Sequence, residues 1–428
     1  MRVIKNLFRN QFLKNTGWMV FAQVYQMIVS LVVGVVSARY LGPSNYGTIN
    51  YAASYISFFT IVCALGLEGI AIKDIIDNRE DEGVILGSCI LLRFIAGILS
   101  MISVVILVAI INPGDKTLCV VTFLQSFVFI FNAVHIIEIW YQSYLKSKTP
   151  SIVKCIAYTV MSLYKVILLI TGKNVKWFAF SSSLDAMVIA VLYYYLYRKD
   201  CTKRLSYDRK VGIDLLKRSY HLIITSMMAV IYSQMDRIMI GKMIGQKEVG
   251  LYAAAATICG FWPFIPAAFT NSARPIIMGL KDKDDRLYKK RLNQLNCFLF
   301  WTGVLFAVFI SILSKVCVSV LYGDDYIGAE SVLVVLVWST VFSSLSNPRG
   351  IWMISEEKQK YTKYIMGTGA IVNLVLNFFS IKKFGMLGAA YATLVTEVVC
   401  CIVSPLCIKQ TREYTLSLLK SIFFINIK

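Results

Sequence analysis

Ionisable side chains set inside long apolar runs are where this sequence can do chemistry: Arg93, His135, Glu138, Lys165, Asp185, Asp236, Arg237 and Glu397. A charge within a lipid-crossing helix costs roughly 2.5–3.5 kcal/mol on insertion scales, so each should face a wet cavity, another charge or the headgroups. The work open to such groups is binding and charge compensation rather than bond making. Arg93, well inside its run, either lines a cavity or snorkels to the headgroups, and Lys165, nearer an outer end, has the same two options. Both are candidates for a substrate path. Asp185 sits near the middle of its run without a cheap route to water, which calls for a buried partner or a lumen. Asp236 and Arg237 can pair with other charges at an interface. Glu397 can carry a proton or hold a neighbouring helix, and the residue type does not choose. His135 and Glu138, three apart, share a helical face and are expected to form a local pair.

Other chemistries lack their residues. No Gly-x4-Gly-Lys-Ser/Thr phosphate loop occurs, and no connecting segment is long enough for a nucleotide-binding domain. The 2 histidines are far apart and without zinc-type spacing, and the 11 cysteines lie mostly in apolar runs without paired spacing. No metal, cofactor or disulfide framework is expected. The pair Asp324-Asp325 sits in Tyr322-Gly-Asp-Asp-Tyr326, where Gly and Asp serve a tight turn better than catalysis.

The elements that must position these groups follow from composition. Of 428 residues, 57% are hydrophobic and 16% charged, at a mean hydropathy of +0.65; the apolar share exceeds the roughly 45–50% of soluble domains. Apolar windows near the length that crosses ~30 Å of hydrocarbon fall at residues 18–38, 46–67, 84–111, 117–140, 151–171, 175–197, 219–240, 249–271, 296–318, 327–346, 361–381 and 386–407. The sequence therefore reads as an all-α membrane protein of about 12 transmembrane helices. The first window is too long for the apolar core of a secretory signal and is read as an uncleaved span.

With the N-terminus inside, 32 of the 44 Lys and Arg fall in inner segments and ten in outer turns and helix ends. By the positive-inside rule both termini are expected in the cytoplasm. Basic residues spread over short loops in this way give no clustered face for nucleic acid. Trp18, Trp140, Trp177 and Trp352 fall at span ends, where an aromatic belt belongs.

The basic stretch 198–218 divides the chain into lobes of six helices, 1–197 and 219–408, followed by a cytoplasmic tail, 409–428. One internal repeat supports the division: Leu41-Gly42-x4-Gly47-x4-Ala52-Ala53 can be laid over Ile244-Gly245-x4-Gly250-x2-Ala253-Ala254. Six spans per repeat keep the two halves in the same orientation, a parallel pseudo-twofold arrangement suited to a transporter. Pro263 and Pro266 are expected to kink the eighth span, as a hinge or a static bend.

Several stretches resemble a known family. They are Ala38-Arg39-Tyr-Leu-Gly-Pro-Ser-Asn-Tyr-Gly47, Leu65-Gly-Leu-Glu-Gly69, Gln234-Met-Asp236-Arg237-Ile-Met-Ile-Gly241, Val249-Gly-Leu-Tyr-Ala-Ala-Ala-Ala256, Ala273-Arg274-Pro275, Asn373-x3-Asn377 and Gly385-Met-Leu-Gly-Ala-Ala-Tyr-Ala-Thr393. The chain is similar to the bacterial polysaccharide flippases of the O-antigen type, in the superfamily that holds multidrug and toxin extruders and lipid II flippases. The resemblance implies a V-shaped, MATE-like molecule of two six-helix lobes around a lumen. It implies transfer of an undecaprenyl-pyrophosphate-linked oligosaccharide from the cytoplasmic to the periplasmic leaflet of the inner membrane. A polymerase and a chain-length regulator of the same pathway are its implied protein partners. Arg39, Asp236, Arg237 and Arg274 sit in the matching motifs; Arg39 and Arg274 join Arg93 and Lys165 as candidates for the path, and Asp185, Asp236, Arg237 and Glu397 are candidates for buried charge or ion coupling. A cation-coupled drug exporter would want an anionic lumen, which the mixture of Arg93 and Lys165 with Asp185 and Glu397 does not clearly provide. An integral glycan polymerase would want larger outer loops.

Overall fold

The computed structural model describes residues 2–201 and 203–423, with side chains from residue 17 onward apart from 224 and 225. The side chains of Arg2, Lys5, Arg9 and Lys14 and the last five residues of the tail lie outside that description. Two compact units divide at Val230 and Ile231. In the first, α1 (Arg2–Ala64), α2 (Glu68–Asp77), α3 (Glu82–Ile111), α4 (Lys116–Ser126), α5 (Val128–Asn132), α6 (Ile137–Ser143), α7 (Lys148–Ile170) and α8 (Val175–Asp200) precede α9 (Arg209–Met243), which runs across the division. The second holds α10 (Gln246–Cys259), α11 (Phe264–Met278), α12 (Asp285–Tyr322), α13 (Ala329–Ser344), α14 (Ser346–Ser355), α15 (Thr362–Phe384), α16 (Met386–Val398), α17 (Ser404–Cys407) and α18 (Arg412–Ile422).

Among the described residues, ten helical stretches are long and apolar enough to cross a membrane. The twelve expected spans are consistent with that number. The first two expected spans run through α1 as one helix, bent where Gly42 takes φ 68° and ψ 168°. Pro43 forces the preceding residue into an extended ψ, and only glycine reaches that positive φ cheaply. The expected seventh span lies in α9, which is not one of the ten because Ser226, Ser233, Gln234, Asp236 and Arg237 interrupt its apolar run. Gly245, the repeat partner of Gly42, also has positive φ (148°) and starts α10.

Helix faces follow a membrane pattern, small residues inward and large aliphatics outward. On α3, Gly97, Ser100, Val104 and Val108 are buried while Leu99, Ile102, Ile106 and Ile110 are exposed. On α12, Gly303, Ala307 and Ser314 are buried while Leu305, Ile312 and Val320 are exposed. The described part is thus a multi-pass membrane body.

The expected kink of the eighth span is a full break, with α10 ending at Cys259 and α11 starting at Phe264. Pro263 takes the N-cap position of α11. Pro266 falls in its first turn, where a missing N–H costs no intrahelical bond.

The basic stretch between the halves is mostly helix. Among the described residues only 201 and 203–208 leave it, and 203–208 lie as a strap on the start of α3. Ser206 N donates to Gly83 O (3.2 Å), Asp208 N to Ser88 Oγ (3.2 Å), and Lys203 Nζ to the carbonyls of Arg79 and Glu80. A Cβ on Gly87 would collide with the backbone of Ser206, and one on Gly83 with Arg204 O. Replacing Gly87 by Val should therefore lift the strap from α3. Amide exchange in residues 203–208 is expected to accelerate at least about tenfold while exchange in α4 and α8 stays unchanged; unchanged strap exchange would refute the contact.

The folded chain reveals a second repeat. Ile139-Trp140-x2-Ser143-x2-Lys146-x-Lys148 recurs as Ile351-Trp352-x2-Ser355-x2-Lys358-x-Lys360. Both segments end a helix alike: Leu145 and Glu357 take φ 53° and 54°, and Lys146 N and Lys358 N donate back to Tyr141 O (2.9 Å) and Met353 O (2.8 Å), the six-residue closure of a Schellman end. Each Lys ammonium lies over its Trp ring, at 5.2 and 4.6 Å. This corrects the expected belt. Trp177 is exposed and Trp18 partly so, but Trp140 is buried with Nε1 donating to Glu82 Oε2 (2.9 Å), and Trp352 is buried against Tyr414 (4.9 Å).

Candidate functional site

Arg93 stands on α3 where the helix passes the end of α1. After Ala64 the chain turns through Leu65 and Gly66, both with positive φ (54° and 62°), which leaves the last carbonyls of α1 without helical partners. Arg93 Nε donates to one of them, Ala64 O, at 3.2 Å, and Nη2 to Glu68 Oε1 on the first turn of α2 at 3.0 Å. A cation at a helix C-terminus and a carboxylate at a helix N-terminus both match the helix dipoles. The Arg93 side chain is 4% exposed and that of its partner Glu68 67%.

The same arginine lines a cavity of about 410 Å³, with Thr60, Asn132, His135, Glu138 and Lys154 among its walls. The expected His135–Glu138 pair does not form. His135 Nε2 donates to Ala186 O on α8 (3.0 Å). Glu138 accepts instead from Lys154 Nζ (2.7 Å), Tyr193 OH (3.1 Å) and Gln142 Nε2 (3.4 Å). A shared face within α6 and its approach is not enough, because α7 and α8 supply better-placed partners. Beyond Glu138, Gln142 and Lys154 lies a second cavity of about 210 Å³, which these three also line and which reaches Gln23 and Gln26 on α1.

Lys165 on α7 and Asp185 on α8 interact electrostatically. No ion pair between them is made among the described residues, and Asp185 Oδ1 is buried without a hydrogen-bond partner. Neither lines the larger cavity.

In the second unit Asp236 is 5% exposed and bonded to neutral groups rather than to other charges at an interface. Oδ1 accepts from Asn373 Nδ2 (3.1 Å) and Asn377 Nδ2 (2.6 Å), and Oδ2 from Tyr252 OH (2.7 Å) and Thr393 Oγ1 (2.5 Å). One carboxylate thereby joins α9 to α10, α15 and α16, and four donors use up its main acceptor sites. Its neighbour Arg237 donates to Gln234 Oε1 (3.4 Å) one turn back. Glu397 lies beside Tyr232 and within the field of Arg349. Arg39 and Arg274 are exposed.

By its place in the sequence Arg349 belongs with the inner-loop cations. The structure buries it to 7% and sets its Nη1 2.6 Å from Cys400 O. Cys400 belongs to a π-helical turn, Val399–Val403, that follows α16, and such turns displace carbonyls from the helical ladder. Nothing in the local pattern around Arg349 distinguishes it from a loop arginine. The Asn373-x3-Asn377 spacing does carry a signal, two amides one turn apart in an apolar helix. Among the described residues no three His, Cys, Asp or Glu side chains are grouped as a metal site needs, and all 11 cysteines are free thiols.

The family model described as "Polysaccharide biosynthesis protein" matches residues 12–279, and the MatE model matches residues 222–379. A putative O-antigen transporter of Shigella flexneri is 23% identical over 170 residues, 40% of each chain. The probable flippase AglR of Haloferax volcanii is 27% identical over 246 residues, 55% of this chain and 49% of that one. The chain thus spans about half or less of the length of these two relatives. The lipid II flippase MurJ, in an inward closed conformation, superposes with a TM-score of 0.71 at 14% identity over 96% of this chain and 92% of its own, which shows a shared fold. With well over half of its residues inside the first family model, the chain belongs to the polysaccharide biosynthesis protein family.

Proposed function

We propose that this protein is a flippase that carries undecaprenyl-pyrophosphate-linked oligosaccharide, of the O-antigen or a similar surface-glycan type, from the cytoplasmic to the periplasmic leaflet of a bacterial inner membrane by alternating access. The observation that carries the reading is the polar cavity around Arg93, His135 and Glu138 inside a body whose outer faces are leucine, isoleucine and valine. A sugar hydroxyl moved into hydrocarbon without a partner costs roughly 4–8 kcal/mol, so a glycan needs such a wet, polar route while its prenyl tail stays in lipid. The names of the relatives, an O-antigen transporter and a flippase, support the same class.

In this reading both termini are cytoplasmic, as the distribution of basic residues favours. The exposed guanidiniums of Arg39 and Arg274 meet the pyrophosphate, whose outward movement an inside-negative membrane assists by about 2.3 kcal/mol per charge per 100 mV. The half-buried Lys165, Asp185, Arg237 and Glu397 are the charges available to couple an ion, whereas buried Asp236 is already saturated with donors. The polymerase and chain-length regulator that act on the product are its protein partners.

Deleting the gene in its host tests the reading. Intact lipid-linked units are expected to be trapped where a membrane-impermeant sugar-modifying reagent reaches them in inverted vesicles but not in spheroplasts, and the restored gene should return them outside. Unpolymerised units reaching the periplasm without the gene would move the protein to the polymerisation step. In the same assay Arg93→Ala and Lys165→Ala are each expected to lower export at normal protein level. Normal export would remove the residue from the path.

A further inference from the structure

We propose that the cavity of the first unit is a subsite for the uncharged sugar residues of the cargo, distinct from the place that receives its pyrophosphate; this rests on the flippase reading. The charges on its walls are already balanced. Arg93 is paired with Glu68 and Lys154 with Glu138, at 3.0 and 2.7 Å. A pyrophosphate entering here would find both cations neutralised and a carboxylate beside each, so the site has no net attraction for a multiply charged anion. A ligand of many hydroxyls and no charge meets no such penalty.

The unspent hydrogen-bonding groups have the same character. A guanidinium has five N–H donors, and the protein uses two of those on Arg93. Since the Ala186 carbonyl can only accept, His135 carries its hydrogen on Nε2 and offers Nδ1 as an acceptor. Asn132 lines the cavity and presents both a carbonyl and an amide. The wall thus offers both donors and acceptors, which suits hydroxyls that each donate and accept.

The volume fits as well. About 410 Å³ falls within the roughly 300–1,000 Å³ of small-molecule sites. The second cavity shares Glu138, Gln142 and Lys154 with the first, so when the Lys154–Glu138 pair opens, a longer glycan continues from one into the other.

The test uses the full-length protein in lipid nanodiscs and two probes. One is the oligosaccharide released by mild acid from the host's own lipid-linked unit, and the other is sugar-free undecaprenyl pyrophosphate. Asn132→Leu, and Asn132→Ser as a smaller change, should weaken the released oligosaccharide at least about tenfold, equivalent to 1.4 kcal/mol. Binding of the undecaprenyl pyrophosphate should stay within about twofold, and thermal unfolding should match the parent protein. Equal loss of both probes, or unchanged oligosaccharide binding, would overturn the subsite. A parent protein that binds only the undecaprenyl pyrophosphate would overturn the subsite and leave the flippase reading standing. Normal export by the deletion strain would instead remove the flippase reading itself.

Discussion

Asp236→Ala is expected to lower the stability of the purified protein by about 3–5 kcal/mol, because each buried donor left without its acceptor costs roughly 1–3 kcal/mol. The amides of Asn373 and Asn377 and the hydroxyls of Tyr252 and Thr393 all converge on this carboxylate, and Asn373, Asn377 and Tyr252 are buried. Alanine would strand these donors in a medium without water to replace the acceptor. Asp236→Asn is the informative control. The introduced carbonyl still accepts from both asparagines, and the two hydroxyls can rotate to accept from the introduced amide, so its cost should be only about 1 kcal/mol. Thermal unfolding in detergent, followed by size-exclusion of the heated sample, measures both. Equal losses would mean that charge matters here rather than the number of acceptors, and no loss from the alanine variant would refute the hub.

Arg349→Leu is the second large effect. The substitution frees Cys400 O inside the π-helical turn and deprives Glu397 of the cation whose field reaches it. An uncompensated buried charge of this kind costs about 3–5 kcal/mol. Combining it with Glu397→Gln should recover about 1–2 kcal/mol, because the glutamine no longer requires a counter-charge, and residues in one network couple by that order. Additive losses in the double variant would show that Arg349 acts through the carbonyl alone. Arg93 of the first unit and Arg349 of the second share a habit: both spend a donor on a main-chain carbonyl released where a helix ends or changes pitch.

Much of this architecture is legible in the residues themselves. The helical membrane class follows from hydropathy, since apolar runs of that length have few other uses. The Gly42 and Gly245 turns follow from a spacing that only glycine serves well, and the structure gives both a positive φ. Asp236 stands out because a carboxylate in an apolar run must be answered. Besides Tyr252, what answers it lies 137, 141 and 157 residues further on, at Asn373, Asn377 and Thr393, and no local pattern links those positions. His135 and Glu138 mislead for the complementary reason. Adjacency on one helix is legible, but Lys154, Tyr193 and the Ala186 carbonyl come from other helices and win the competition. Trp140 and Trp352 carry the composition of an interface anchor. Whether a tryptophan at a span end faces headgroups or folds back depends on an acceptor such as Glu82 or a ring such as Tyr414 nearby.

The sequence by itself determined that the chain lives in lipid, how its spans alternate with basic loops, and which charges would need an explanation. These depend on transfer free energies and on backbone preferences, which are properties of a residue and its near neighbours. Only the tertiary structure decided that Arg93 caps α1 while lining a cavity, that Arg349 is buried, that residues 203–208 are strapped to α3, and that Asp236 is saturated with donors. Each of these turns on which distant side chain or carbonyl arrives within about 3 Å, the range over which a hydrogen bond acts, and helix packing alone sets that distance.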